Sequence, residues 1–266
     1  MTAAQPIVGF IGFGNMARAI VQGLTAAGTV AGDQIVACAA HYDTLERHTA
    51  AIGARALHTA GEVARAADMV IIAIKPYQIE AVLGPIADVL AVDGTCVLSI
   101  ASGWTLDRYI RLLGDGAHVQ CAIPNTPIAV GQGVLVTELD TTFSDEETKL
   151  FERLFAPIAT IERVEREHMD IAVDIAGCAP AFTAMYIEAL ADAGVEFGLG
   201  RESAYRLAAK MIAGVGTLYQ ATGTHPGAMK DAVCSPGGTT IKGVTSLERT
   251  GFRGSVIAAI EAIEGK

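Results

Sequence analysis

From Pro6 to about Val164 short β-rich apolar runs alternate with helix-patterned stretches, and after Glu165 the alternation stops. That order is what βαβ units produce, so it commits the first part of the chain to a mostly parallel sheet with helices on its faces. The runs that read as strands are 7–11, 34–39, 55–57, 69–74, 95–100, 118–122 and 133–138. Several are continuously apolar, as strands buried on both faces should be. Between them, 17–27, 44–52, 62–67, 79–90 and 106–113 carry apolar residues at helical spacing. Thr59 with Glu62, and Ser144 with Glu147, fit capping boxes that satisfy free amides where a helix begins.

The remaining hundred or so residues read as helical. Ala204, Leu207, Ala208, Met211, Ile212, Val215 and Leu218 form one apolar stripe. Pro180 should kink or interrupt the first long helix there, because it has no amide proton and its ring presses on the preceding turn. His225-Pro226-Gly227 reads as a loop into another helix. The expected organisation is a sheet domain over 1–164 and an all-helical domain over 165–266.

Composition excludes several functions. Half of the 266 residues are hydrophobic and only 6% aromatic, so the core must be built mainly from Ala, Val, Ile and Leu. That is more apolar area than one protomer readily hides, and a helical surface buried against a second copy is expected. Net charge is −10 and no Lys/Arg cluster exceeds a pair, which argues against a nucleic-acid partner. Apolar runs such as 69–74 fall far short of the roughly 18–20 residues that span a bilayer. Residues 1–6 carry no basic residue and no cleavage pattern, so a cytoplasmic protein is expected. The five cysteines are widely spaced without a CxxC pair, and the six histidines show no HxxxH; neither a disulfide framework nor a metal is expected.

The first strand runs into Gly12-Phe13-Gly14-Asn15-Met16-Ala17, a GxGxxA turn opening a helix. Gly12 permits the tight turn, Gly14 admits a pyrophosphate, and Ala17 lets helix and strand approach. The uncompensated amides of the helix start favour an anion. The expected fold is therefore a Rossmann-type, doubly wound domain that binds a nicotinamide dinucleotide. An NAD site usually has a carboxylate at the end of the second strand, where this chain reads Ala39-Ala40-His41. NADPH is thus favoured, with NADH possible. His41, Arg47 and His48 either meet the extra phosphate or are solvated residues at a helix start. Ala73-Ile74-Lys75-Pro76 ends the fourth strand, where Lys75 either leans on the cofactor or is an ordinary exposed lysine. Ser99 begins a run of small residues to Gly103 with room for a nicotinamide ring.

Two further segments narrow the reading: Pro124-Asn125-Thr126-Pro127, a rigid turn, and the stretch from Asp231 to Thr240, which holds Ser235-Pro236-Gly237-Gly238-Thr239-Thr240. The second is a two-glycine loop opening a helix, suited either to cradling a small carboxylate or simply to capping. With the GxGxxA turn and Lys75-Pro76, in this order and at these separations, the chain resembles pyrroline-5-carboxylate reductase, the last enzyme of proline synthesis. The likeness runs over essentially the whole chain. Its last two motifs are specific to that family; the first two are shared with β-hydroxyacid dehydrogenases. The resemblance implies reduction of 1-pyrroline-5-carboxylate to L-proline with NADPH, in a dimer or larger assembly. It implies that Ser235, Gly237, Gly238 and Thr239 bind the imino-acid carboxylate, that Thr240 faces the ring nitrogen, and that Asn125 lies beside the nicotinamide. Together with the readings above, the expected cofactor-binding set is 12–17, His41, Ala73, Lys75, Pro76, Ser99 and Asn125.

The chain departs from the family in two places. A Ser-Gly-Ser-Gly-Pro-Ala-Tyr run is replaced by Ala176-Gly177-Cys178-Ala179-Pro180-Ala181-Phe182, and the arginine before the Pro-Asn-Thr-Pro turn is missing from Gln120-Cys121-Ala122-Ile123. These losses leave three alternatives open. They are another cyclic imine, a small 3-hydroxy acid with Lys210 or Lys230 as acid or base, and a non-catalytic NADPH-binding regulator.

Overall fold

A computed structural model describes residues 5–91 and 95–265. The chain divides into two compact units, Met1–Gly177 and Cys178–Lys266.

The first unit is built on one sheet of eight strands: β1 (Val8–Ile11), β2 (Ile35–Cys38), β3 (Arg55–Ala56), β4 (Met69–Ile72), β5 (Cys96–Ser99), β6 (His118–Pro124), β7 (Gly133–Glu138) and β8 (Ala159–Val164). Their spatial order is β3-β2-β1-β4-β5-β6-β7-β8. All neighbours run parallel except β6 and β7. Every residue of β1, β2, β4 and β5 is buried, as their unbroken apolar runs require. Alternation splits them between two cores, with Phe10 and Ile71 in one and Ile11 and Ile72 in the other. The doubly wound, mostly parallel fold holds.

Helices α1 (Asn15–Ala26), α2 (Tyr42–Ala50), α3 (Ala60–Ala66), α4 (Ile79–Leu83), α5 (Ala87–Leu90), α6 (Leu106–Leu113) and α7 (Asp145–Phe155) connect the strands. Both expected capping boxes form: Thr59 accepts from Glu62 N at 3.2 Å while the Glu62 carboxylate accepts from Thr59 N at 3.0 Å, and Ser144 and Glu147 repeat the exchange. Two elements differ from expectation. The helix anticipated over 79–90 is broken by a 3-10 turn at Gly84–Ile86, because Pro85 cannot donate to the ladder. β8 was not anticipated, because Thr160, Glu162 and Arg163 interrupt its apolar pattern; as the sheet's edge it keeps one side in water.

After β8 the chain turns helical: α8 (Met169–Val173), a π turn at Asp174–Cys178, and α9 (Ala179–Glu196). The interruption expected from Pro180 is this π turn, with the proline in the first turn of α9. Taken together, Arg166–Glu196 is a helical stretch long and apolar enough to cross a membrane by length and composition. No such stretch was expected from the run lengths, because charged residues such as Asp174, Glu188 and Asp192 interrupt it. Helices α10 (Arg201–Thr222), α11 (Pro226–Ala232), α12 (Thr239–Arg249) and α13 (Phe252–Ile263) complete the second unit.

The expected single stripe on α10 resolves into two faces. Ala204 and Ala208 are buried, with Ala204 so close to α9 that a Cβ on Gly194 would lie 3.2 Å from its own. Leu207, Met211, Val215 and Leu218, also spaced at helical intervals, are exposed.

Candidate active site

The sheet's strand order reverses at β1, which has β2 on one side and β4 on the other, and this is where open α/β sheets place a ligand. Gly12 leaves β1 with φ +93°, and a Cβ there would sit 2.5 Å from the Ala73 carbonyl oxygen. Only glycine lets the turn pass so close to the end of β4. Gly14 caps α1 with no side-chain bond to the first amides, and the first turn holds no acidic residue. These amides therefore face open space with the positive end of the helix behind them. Ala17 is 1% exposed, packed as its small size allows.

A cavity of about 950 Å³ opens at this point. Its walls are 11–17, 38–41, 73–76 and 100–102, with Thr44, His48, His58 and Thr126 among the others. The expected residues Gly12, Phe13, Gly14, Asn15, Met16, Ala17, His41, Ala73, Lys75 and Pro76 are thus brought together. Among the described residues no Asp or Glu lines the cavity, whereas Lys75 and three histidines do. An anion of dinucleotide size fits this wall.

The electropositive edge holds more than the sequence disclosed. Arg18 donates to Asn15 Oδ1 and lies 3.3 Å from His48 Nε2. His58 stacks on Tyr42 with ring centroids 4.1 Å apart. Arg47, by contrast, turns back on its own helix to the Asp43 carbonyl and the Thr44 hydroxyl. Pro76 is held by Trp104, whose Nε1 donates to its carbonyl at 3.0 Å. The Cys38 thiol, also in the wall, is pushed up to about 11 by burial, so it is a neutral, inert surface there.

Two expected residues do not reach the cavity. Ser99 is buried, its hydroxyl 2.7 Å from Tyr109 Oη and accepting from Ala101 N; its successors Ile100, Ala101 and Ser102 line the wall instead. Asn125 is buried with all its polar groups engaged. Its backbone N donates to Val134 O at 3.1 Å, its Oδ1 accepts from Val134 N at 2.8 Å, and its Nδ2 donates to Ala176 O at 2.8 Å. Thr126, next in the chain, lines the cavity.

Where the arginine before the Pro-Asn-Thr-Pro turn is absent, Cys121 lies beside the buried Glu138, and burial followed by that carboxylate raises its thiol pKa. Glu138 takes its cation from another place: Arg166 Nε donates to it at 2.6 Å, and Arg166 also bonds Asp107. In the second unit, Ser235, Gly237, Thr239 and Thr240 are exposed around the start of α12. Gly237 has φ +70°, and Gly238 N donates to Ser235 O at 3.0 Å, closing the turn. Gly238 caps α12 without a side-chain bond, so this helix also begins with free amides.

Comparison with known proteins decides the family. Residues 166–266 match the model described as pyrroline-5-carboxylate reductase dimerisation, and residues 7–103 match NADP oxidoreductase coenzyme F420-dependent. The pyrroline-5-carboxylate reductase of Treponema pallidum is 40% identical over 259 residues, covering 96% of this chain and 97% of that protein. The Escherichia coli enzyme of the same name is 40% identical over 253 residues, 95% of this chain and 94% of its own length. The chain belongs to the pyrroline-5-carboxylate reductase family. Among solved structures, a Plasmodium falciparum pyrroline carboxylate reductase with NADP bound superposes with a TM-score of 0.85 at 28% identity, over 97% of this chain and 95% of that one. A pyrroline-5-carboxylate reductase from Coxiella burnetii gives 0.86 at 29% identity, over 97% and 96%. As a pyrroline-5-carboxylate reductase family member it is an NAD(P)-dependent oxidoreductase, and its dimerisation segment supports homo-oligomerisation.

Proposed function

We propose that this chain reduces 1-pyrroline-5-carboxylate to L-proline in the cytoplasm, with NADPH as its preferred cofactor. The observation that carries the reading is the carboxylate-free cavity against uncapped amides of α1, in a chain 40% identical over nearly its full length to named reductases. When bound there, the dinucleotide supplies the hydride. The amides of 14–17 hold its pyrophosphate, Lys75 offsets its charge, and His41 lies against it in the same wall. Ala73 and Pro76 form the floor, and 100–102 with Thr126 bound the end left for the ring.

The helical domain, 165–266, binds the imino acid and joins two copies. Ser235, Gly237, Gly238 and Thr239 present the start of α12 to the carboxylate, and Thr240 holds the ring nitrogen. Positioning does most of the work, since a protonated imine is already electrophilic. Asn125 is buried and its amide bridges Val134 and Ala176, so its part is to hold the wall of which Thr126 is the exposed end. The apolar stretch Arg166–Glu196 packs against a second copy, not lipid, and no nucleic acid takes part.

The test follows absorbance of NADPH and of NADH with pyrroline-5-carboxylate, a six-membered imine, and a hydroxy-acid panel run in reverse. Turnover of the five-membered imine, faster with NADPH, is expected. Turnover of another compound alone would overturn the substrate, and tight NADPH binding without any turnover would make the chain a regulator.

A further inference from the structure

In an α-helix the carbonyl of residue 176 accepts from the amide of residue 180, and here residue 180 is proline. That amide proton does not exist, and the pyrrolidine ring crowds the same carbonyl. The chain widens into the π turn Asp174–Cys178 just before α9. The Ala176 carbonyl is met from outside the helix, by Asn125 Nδ2 at 2.8 Å. The other end of the same amide accepts from Val134 N on β7, while Asn125 N donates to Val134 O. One side chain thus completes a rung on the sheet and repairs a gap in the helix. No other side chain of this length does both: aspartate has no donor for Ala176, and leucine offers neither group.

We infer that Asn125 is a positioning residue matched to Pro180, supplying the hydrogen bond that the proline removes and so fixing the π turn to the wall of the dinucleotide cavity. The wall follows Asn125 closely. Ile128 N donates to Asn125 O at 3.2 Å, and Thr126 lines the cavity. The 3-10 turn Thr126–Val130 in turn abuts α1, where a Cβ on Gly23 would lie 2.3 Å from the Ile128 carbonyl oxygen. Loss of the Asn125 bonds frees both Thr126 and the helix whose start faces the cavity. The consequence for turnover rests on the reductase reading above; the pairing of Asn125 with Pro180 does not.

The test is a double-mutant cycle on the full-length protein: Asn125→Ala, Pro180→Ala and the pair, with Asn125→Asp as a second probe that keeps the acceptor for Val134 and loses the donor for Ala176. Thermal midpoint, and kcat and KM for pyrroline-5-carboxylate, are measured on each. Asn125→Ala is expected to lower kcat about tenfold or more, and adding Pro180→Ala, which returns an amide to the Ala176 carbonyl, to recover at least about threefold. The thermal midpoint should show the same partial rescue, and Asn125→Asp should be rescued likewise. Strictly additive effects in both readouts would overturn the pairing. If the wild-type protein reduces nothing, the reductase reading falls and the thermal cycle alone decides the pairing, coupling supporting it and additivity refuting it. If Asn125→Ala does not fold, the Asn125→Asp arm is judged by the same criteria.

Discussion

The two units of this chain solve the problem of hiding apolar surface in opposite ways. The sheet unit buries Phe10, Tyr109, Phe151 and Phe155 to 1% exposure or less under its own helices. In the helical unit the buried residues, among those described, are Ala191, Ala204 and Ala208, while Phe197 is 87% exposed and Leu207 63%. Small residues allow α9 and α10 to approach, but three alanines remove little apolar area from water. A unit like this draws its stability from association, which is why a dimerisation segment reads as helix from its sequence and not as a core.

The sharpest way to break that contrast is to charge the uncovered stripe. Replacing Met211 and Val215 with glutamate removes side chains worth about 1.5–3 kcal/mol each when buried, and a two-fold interface loses each of them twice. The variant is expected to sediment as a monomer and to lose about 100-fold or more in kcat/KM. NADPH affinity should be retained, because every residue lining the cavity belongs to the sheet unit. An assembled, active variant would show that another surface joins the copies.

High pH acts on the sheet unit. Burial pushes the Cys96 thiol up to about 12 and Cys38 to about 11, and it also raises Tyr109. A group whose proton is held more tightly in the fold stabilises it below its unfolded pKa, near 9, and that contribution is lost as pH rises toward the folded value. Between pH 8 and pH 11 Cys96 alone should subtract about 2–3 kcal/mol from stability. Trp104, the only tryptophan, lies in this unit at 6% exposure, so its fluorescence in urea titrations isolates the sheet. Cys96→Ala should flatten the alkaline fall by that amount; an unchanged slope would place the loss elsewhere.

What could be read in advance follows the same division. Buried parallel strands announce themselves as unbroken apolar runs, and the GxGxxA turn and the end of β4 are local features, so the grouping of Gly12–Ala17, His41 and Lys75-Pro76 around one cavity was legible. The edge strand β8 was not, because an edge needs only half an apolar face. Ser99 looked suited to the site for its size, but the phase of β5 turns its hydroxyl to Tyr109. The partner of Asn125 lies 51 residues away, a pairing that no spacing rule supplies. On α10, positions one residue apart in the stripe face different neighbours, and only packing separates 204 and 208 from 207, 211 and 215.

Arg18, beside the cavity wall, is the residue that a motif could least reveal, and it gives the smallest expected effect. It follows Ala17 on the exposed side of α1, and it joins the cavity edge through Asn15 and His48. The Arg18 guanidinium lies 3.3 Å from the His48 imidazole, so a fixed positive charge stands beside the cavity wall. A phosphate on the adenosine ribose would meet this edge, whereas a bare hydroxyl would gain little from it. Arg18→Ala should therefore raise the Kd of NADPH about five- to tenfold, an exposed charge contact of roughly 1 kcal/mol, and leave that of NADH within about twofold. The difference should shrink with added salt, because the pair stands in water. Equal losses for both nucleotides would mean that Arg18 orders the start of α1 through Asn15 and does not distinguish the two nucleotides.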